Sequence, residues 1–337
     1  MRMARLKLDT AATYHVMSRV VDGQVYIQDL EKQYLSNLLR RLETFTACEV
    51  ITYAFLDNHF HLLLFVPERQ QISDEEVKRR VKVLYGDKKY RELEETWKLW
   101  KDQAQEELIT KQLNKFRVRM YDLSQFMKTF KQRFSIYYNS NYGRRGTLWE
   151  ERFKSVLVEE SEYTQLVVAA YIDLNPVRAG IVKDPKDYRW SGYGEAVAGI
   201  SKSRKGLRKL FFNRDIEENE MLSEYRQFIY AQGSQKRNYL SGDTSRAGFS
   251  QALVDKILAE KGRLSLTQML HCKVRYFSDG MIIGSKLFVE KMFNEQKAYF
   301  SDKRSKRGAK EMKFGEWGGL CAARELRVRV ISVLDDR

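Results

Sequence analysis

The chain has 337 residues, 43% of them hydrophobic, with 60 Lys and Arg against 45 Asp and Glu, a formal charge of +15. That is enough apolar material for a sizeable core, and the cations recur along the whole length, which points to a polyanionic partner, nucleic acid before membrane. Cys48, Cys272 and Cys321 lie far apart without CxxC spacing, which excludes a disulfide framework or zinc ribbon and fits a reducing, cytoplasmic setting. No stretch approaches the roughly 20 apolar residues of a membrane span, no signal peptide is evident, and neither GxxxxGK nor a Rossmann glycine pattern occurs. Neither a membrane nor a nucleotide cofactor is expected.

In chain order, TYHVMSRVV alternates Tyr14, Val16 and Ser18 against His15, Met17 and Arg19, the period of a strand. DLEKQYLSNLLRRLETF then spaces Leu30, Tyr34, Leu38 and Phe45 at helical intervals, and EVITYAFL and HLLLFV are two strands around the turn Asp57-Asn58, a predicted hairpin. At about 70–120 the charge becomes dense, opening on Ser73 and Glu76 as a capping box, and an inserted helical segment is predicted. Core texture returns in LSQFMKTFKQRFSIYYNS, a helix with Phe126, Phe130, Phe134 and Tyr137 on one face. FKSVLVE reads as a fourth strand, and SEYTQLVVAAYIDLN as a helix stopped by Pro176.

The order βαββαβ with a last helix predicts an α+β fold, an antiparallel ferredoxin-like (split βαβ) sheet with packed helices. SKSRKGLRK reads as a linker or surface arm between a first domain, 1–198, and a mainly α-helical, basic C-terminal region, 199–337. Within that region, Leu253–Phe293 fits a helix-turn-helix type of DNA module or a small helical cap, and SDKRSKRGAKEMK is a basic run.

Two of the four histidines, His59 and His61, stand at the mouth of a strand. Positions i and i+2 of a strand share a face, so the two imidazoles project together as a two-tooth metal clamp, although a bare HxH is more often a surface pair. Tyr171 and Asn175, in YIDLNPVRAG, are four apart at a helix end and share a face. Taken alone, such a Tyr is ordinarily core and such an Asn a cap. Lys128, Lys131, Arg133, Arg144, Arg145 and Arg152 are interleaved with Tyr142 and Trp149, a mixture of cations for phosphates and rings for unpaired bases that suits single-stranded DNA. Asn58 is a further metal or phosphate contact from the hairpin turn, and His15 reads as packing.

The ordered blocks YHVMSRVV, YAFLDNHFHLLL, SQFMKTFKQRFSIYYNSNYGRRGTLWEERFKSVLVE, YIDLNPVRAG and DYRWSGYG, over about residues 12–195, resemble the IS200-like and REP-associated tyrosine transposases of the HUH endonuclease superfamily. The resemblance implies a Mg²⁺ or Mn²⁺ ion on His59 and His61, with Asn175 matching the family's polar third ligand, and Tyr171 as nucleophile. It further implies cleavage and rejoining of single-stranded or hairpin DNA at REP-like or IS200-like sites through a 5′-phosphotyrosine, by a monomer or a homodimer. The charged insertion and everything beyond about residue 200 depart from the family's pattern. The alternative is a domesticated hairpin DNA-binding protein that does not cut. A third reading, an RNA-binding module, lacks an RNP1-like GFGFV pattern.

Overall fold

Tyr14 and Val16 on one side of a strand, and His15 on the other, set the plan of the fold, because their strand is central to a sheet with a core on each face. The computed structural model describes residues 6–212, 214–231, 269–270, 274–300, 308–313 and 315–326. In it β1 (Ala12–Arg19) pairs antiparallel with both β3 (His59–Val66) and β4 (Lys154–Val158), and β2 (Glu49–Phe55) pairs antiparallel with β3. Beyond β4 the sheet continues: β5 (Ile282–Gly284) adds parallel to it, followed by β7 (Cys321–Ala322) and β6 (Lys310–Glu311). The order is β2-β3-β1-β4-β5-β7-β6, a mixed seven-stranded sheet in an α+β protein. The region expected to be mainly helical therefore also supplies three short strands.

The first face packs on α1 (Asp29–Thr46) and α4 (Leu123–Asn141), burying Tyr14, Val16, Phe60, Leu62 and Leu64 against Leu35, Leu39, Phe126, Phe130 and Phe134. The helical intervals of α1 are real, but its buried face runs through Leu35, Leu38, Leu39, Leu42 and Phe45, and Leu30 is 72% exposed. In α4 Tyr138 is buried where Tyr137 was expected; Tyr137 stacks instead on Tyr34 at 3.8 Å.

The insertion forms α2 (Asp74–Asp102) and α3 (Glu106–Arg117). Ser73 Oγ accepts the Glu76 N–H, but the Glu76 carboxylate pairs with Arg79 and Arg80, so only half of the expected capping box is made. Gly86, at φ +79°, breaks helical geometry midway along α2, a conformation that costs glycine little. Val77, Val81, Leu84 and Leu113 join the first core.

The second face packs on α5 (Glu162–Asp173), α8 (Ser201–Arg208) and α9 (Glu218–Ala231), with α6 (Asn175–Arg178) and α7 (Gly192–Val197) between them in sequence. α8 is SKSRKGLR, all but the last residue of the stretch expected to be a linker or surface arm, and it is a helix packed on the sheet. Its basic residues line one side, while Ser203, Gly206 and Leu207 are buried, and a Cβ on Gly206 would come within 2.4 Å of the Val50 carbonyl oxygen of β2. Only a glycine allows the two backbones to approach so closely.

Of the helix-turn-helix candidate, 253–268 and 271–273 lie outside the described residues. Its described end forms α10 (Tyr276–Asp279), β5 and most of α11 (Lys286–Glu295). The basic run 301–313 is likewise mostly outside them. Among the described residues no helix is long and apolar enough to cross a membrane.

Candidate active site on the second face of the sheet

The alternation that buries Tyr14 and Phe60 in the first core turns His15, His59 and His61 to the opposite face. His59 and His61 are 5.2 Å apart between ring centroids and nearly perpendicular, as an i, i+2 pair allows. The tight turn before them holds His59: Asn58 donates its amide to the Gly23 carbonyl, which orients its Oδ1 to accept from His59 Nδ1 at 2.6 Å. Asn58 is thus committed to the turn and to His59.

His61 is 3% exposed, and its Nδ1 lies 2.9 Å from His15 Nε2, while His15 Nδ1 donates to the Phe277 carbonyl at 2.8 Å. Burial pushes His15 down to about 4 and is the main cause holding His61 well below the usual imidazole range, with the neighbouring His15 and His59 adding to it. Both rings are neutral at pH 7.

Tyr171 reaches this cluster from α5. Its ring lies edge-on to His61 at 6.1 Å and to His15 at 6.2 Å, stacks on Phe277 at 4.3 Å, and is covered on another side by the Arg178 guanidinium at 4.1 Å. The residue is 4% exposed. Burial raises its pKa, opposed by the Arg178 charge and by a backbone hydrogen bond to Val274. α5 ends at Asp173, just before the Asn-Pro, with Pro176 supplying no N–H to continue it, but Leu174 keeps near-helical angles and Asn175 itself opens the short α6. Its amide nitrogen donates back to the Tyr171 and Ile172 carbonyls, and among the described residues no hydrogen bond joins it to either histidine.

The donor chemistry suits a divalent cation in part. Two adjacent imidazoles engaged through Nδ1 offer Nε2 as the basic atom, the usual arrangement of an oriented metal-binding histidine. Among the described residues no group of three or more His, Cys, Asp or Glu is placed to hold a metal ion, so an ion here would complete its shell with amide or water oxygens.

The face continues into an open cleft of about 320 Å³, lined among others by Met17, Arg19, Arg152, Lys154, Arg275 and Asp279. Met17 is the cross-strand partner of His61, and Arg19 that of His59, so the cleft adjoins the histidine pair. Lys154 and Arg275 both pair with Asp279.

The remaining cations are dispersed. Lys128 and Arg145 are exposed, and Arg152 is an exposed member of the cleft. Lys131 donates to the Glu151 carbonyl, Arg144 to the Thr147 carbonyl and Arg133 to the Leu84 carbonyl of the inserted arm. Trp149 is core, ringed by Phe60 and Phe134, while Tyr142 is exposed and donates to Glu31. Sequence reading did not single out Arg178 or Phe277, and His15, expected to pack, is buried and also hydrogen-bonded to His61 and to the Phe277 carbonyl. The signal for His15 was present, since the strand alternation already put it on the side of Met17 and Arg19.

No protein-family model matches the chain, and no curated protein matches it. Among solved structures, that of a REP-associated tyrosine transposase bound to a REP hairpin is similar over 59% of this chain and 87% of that one, with 17% identity and a TM-score of 0.38. So distant a likeness carries no argument here.

Proposed function

We propose that the protein is a metal-dependent, single-strand DNA endonuclease and transesterase of the tyrosine-nucleophile type, built on a ferredoxin-like arrangement of the first four strands. The observation that carries this is the convergence of His61 and Tyr171, 110 positions apart, at 6.1 Å on one face of the sheet. His59 and His61, with the Asn175 oxygen as the expected third donor, would hold Mg²⁺ or Mn²⁺, which supplies charge to polarise a non-bridging phosphate oxygen. The Tyr171 oxygen would form a bond to phosphorus as the P–O3′ bond breaks, losing its proton while the departing 3′ oxygen gains one. The phosphodiester is exchanged for a phosphotyrosine, so rejoining needs no nucleotide. Arg178, over the ring, favours the phenolate. Attack requires the hydroxyl to be uncovered, because Tyr171 is buried and hydrogen-bonded to the Val274 backbone.

That same burial favours the second reading, a hairpin-binding protein that does not cut. Incubating the full chain with single-stranded hairpin DNA and Mn²⁺, then mapping any covalent peptide–DNA adduct, separates the two. Cleavage predicts an adduct on Tyr171 that disappears in Tyr171→Phe and His61→Ala but persists in Tyr163→Phe. Tyr163 lies eight residues back, roughly 12 Å along the helix, against Phe228. Hairpin binding without an adduct selects the second reading.

A further inference from the structure

Two imidazoles and a backbone carbonyl form a line of hydrogen bonds whose direction is fixed at one end. The Phe277 carbonyl can only accept, so the proton on this contact belongs to His15 Nδ1. A neutral His15 then has its lone pair on Nε2, and the 2.9 Å contact to His61 Nδ1 must be filled by a proton from His61. That leaves the lone pair of a neutral His61 on its Nε2. The two rings are buried and nearly coplanar, edge to edge with centroids 5.1 Å apart and planes 21° from parallel, which leaves little freedom to rearrange the line.

We propose that His15 is a positioning residue: held by the Phe277 carbonyl, it fixes His61 as the Nδ1–H tautomer and so reserves His61 Nε2 for a divalent cation. The inference rests on the metal reading above. Without an acceptor at His15, His61 must either bury an unpaired N–H or move its proton to Nε2, and the second outcome blocks the ligand atom. Because Phe277 belongs to α10, a residue of the C-terminal region governs the proton pattern of an imidazole on β3.

The chain has only four histidines, His15, His59, His61 and His271, so ring nitrogens can be assigned individually in the full protein labelled with ¹⁵N-histidine. Long-range ¹H–¹⁵N spectra of the metal-free protein, and Mn²⁺ titration by calorimetry, are compared in wild type, His15→Phe and His15→Gln. Wild type should show His61 protonated at Nδ1. His15→Phe fills the space but accepts nothing, so the His61 signature should change and Mn²⁺ affinity fall by about 10- to 100-fold. His15→Gln offers an amide oxygen near the former Nε2 and should recover most of that affinity.

A wild-type His61 protonated at Nε2 overturns the relay whatever the metal does, and needs no variant to fold. Unchanged Mn²⁺ affinity in His15→Phe, or a Gln variant no better than Phe, overturns the positioning role while leaving the metal reading intact. Wild type with the expected tautomer but no Mn²⁺ binding overturns the metal reading and, with it, the purpose assigned to His15.

Discussion

The two faces of the sheet are built from the same strands and differ in what closes them. The first is closed by α1 and α4, helices near in sequence to the strands they cover, and its buried charged groups, Glu31 and Lys32, stand in the first turn of α1 rather than on the strands. The second is closed by α5 and by elements beyond residue 190, and it carries the buried polar groups His15, His61, Asp173 and Asn175. The face completed from afar carries imidazoles on the strands themselves, between the layers, whereas the locally completed face keeps its buried charges at a helix end.

If that division holds, damage to the first face costs stability without touching the site. Phe60 packs among Phe55, Phe130 and Trp149. Phe60→Ala should lower unfolding free energy by about 3–5 kcal/mol in denaturant titration, while the folded fraction binds Mn²⁺ normally. Loss of Mn²⁺ affinity in the folded fraction would break the separation of the faces.

A smaller loss, about 1–3 kcal/mol, is expected for Gly206→Ala on the second face, where the added methyl meets the Val50 and Ile51 carbonyls rather than a movable side chain. An unchanged melting temperature would mean that α8 is not seated on β2.

Asp173 sharpens the contrast through pH. It is buried, and burial raises its carboxyl to about 7 although Tyr225, Thr52 and the Tyr193 N–H all donate to it. Between the ordinary carboxylate range and pH 7 the folded state therefore binds more protons than the unfolded one. The contribution is fully present below about pH 4 and is lost as pH rises toward 7. Stability of Asp173→Asn, measured over that window, should show this downward slope removed. A slope identical to wild type would assign the pH dependence elsewhere.

The least effect belongs to the rim. Arg152→Gln should weaken single-stranded DNA binding only a few-fold and reduce the slope of log affinity against log salt by about 0.7. An unchanged slope would mean that the cleft does not contact phosphate.

The first face was readable from the sequence, because period-2 strands and a Phe126, Phe130, Phe134 stripe declare a core without knowledge of what is distant. The hairpin, the charged insertion and the end of the Tyr171 helix at Asn-Pro were readable for the same local reasons. On the second face the strand pattern exposed His15 but not its use. The carbonyl that orients it comes from Phe277, 262 residues on, through a short segment with no periodicity to announce it. α8 escaped notice because its composition is that of a linker, and the glycine that seats it on β2 matters only once β2 is known to be there. The cations looked alike in sequence, yet Arg133 and Arg144 are held by backbone carbonyls and Arg152 lines the cleft.

The return of the chain along β2 bears on how copies of this protein can meet. β2 ends the sheet, and two of its backbone N–H groups are already taken: the Glu43 carboxylate accepts from Val50, and the Trp190 carbonyl from Phe55, beside a bridge between Ala54 and Ser191. The opposite end is β6, two residues long and made of Lys310 and Glu311. Among the described residues neither margin offers a long, bare ladder on which a neighbouring molecule can template itself, the feature that drives runaway strand addition and fibre growth. A second copy of the chain therefore finds little open backbone at either of these two margins.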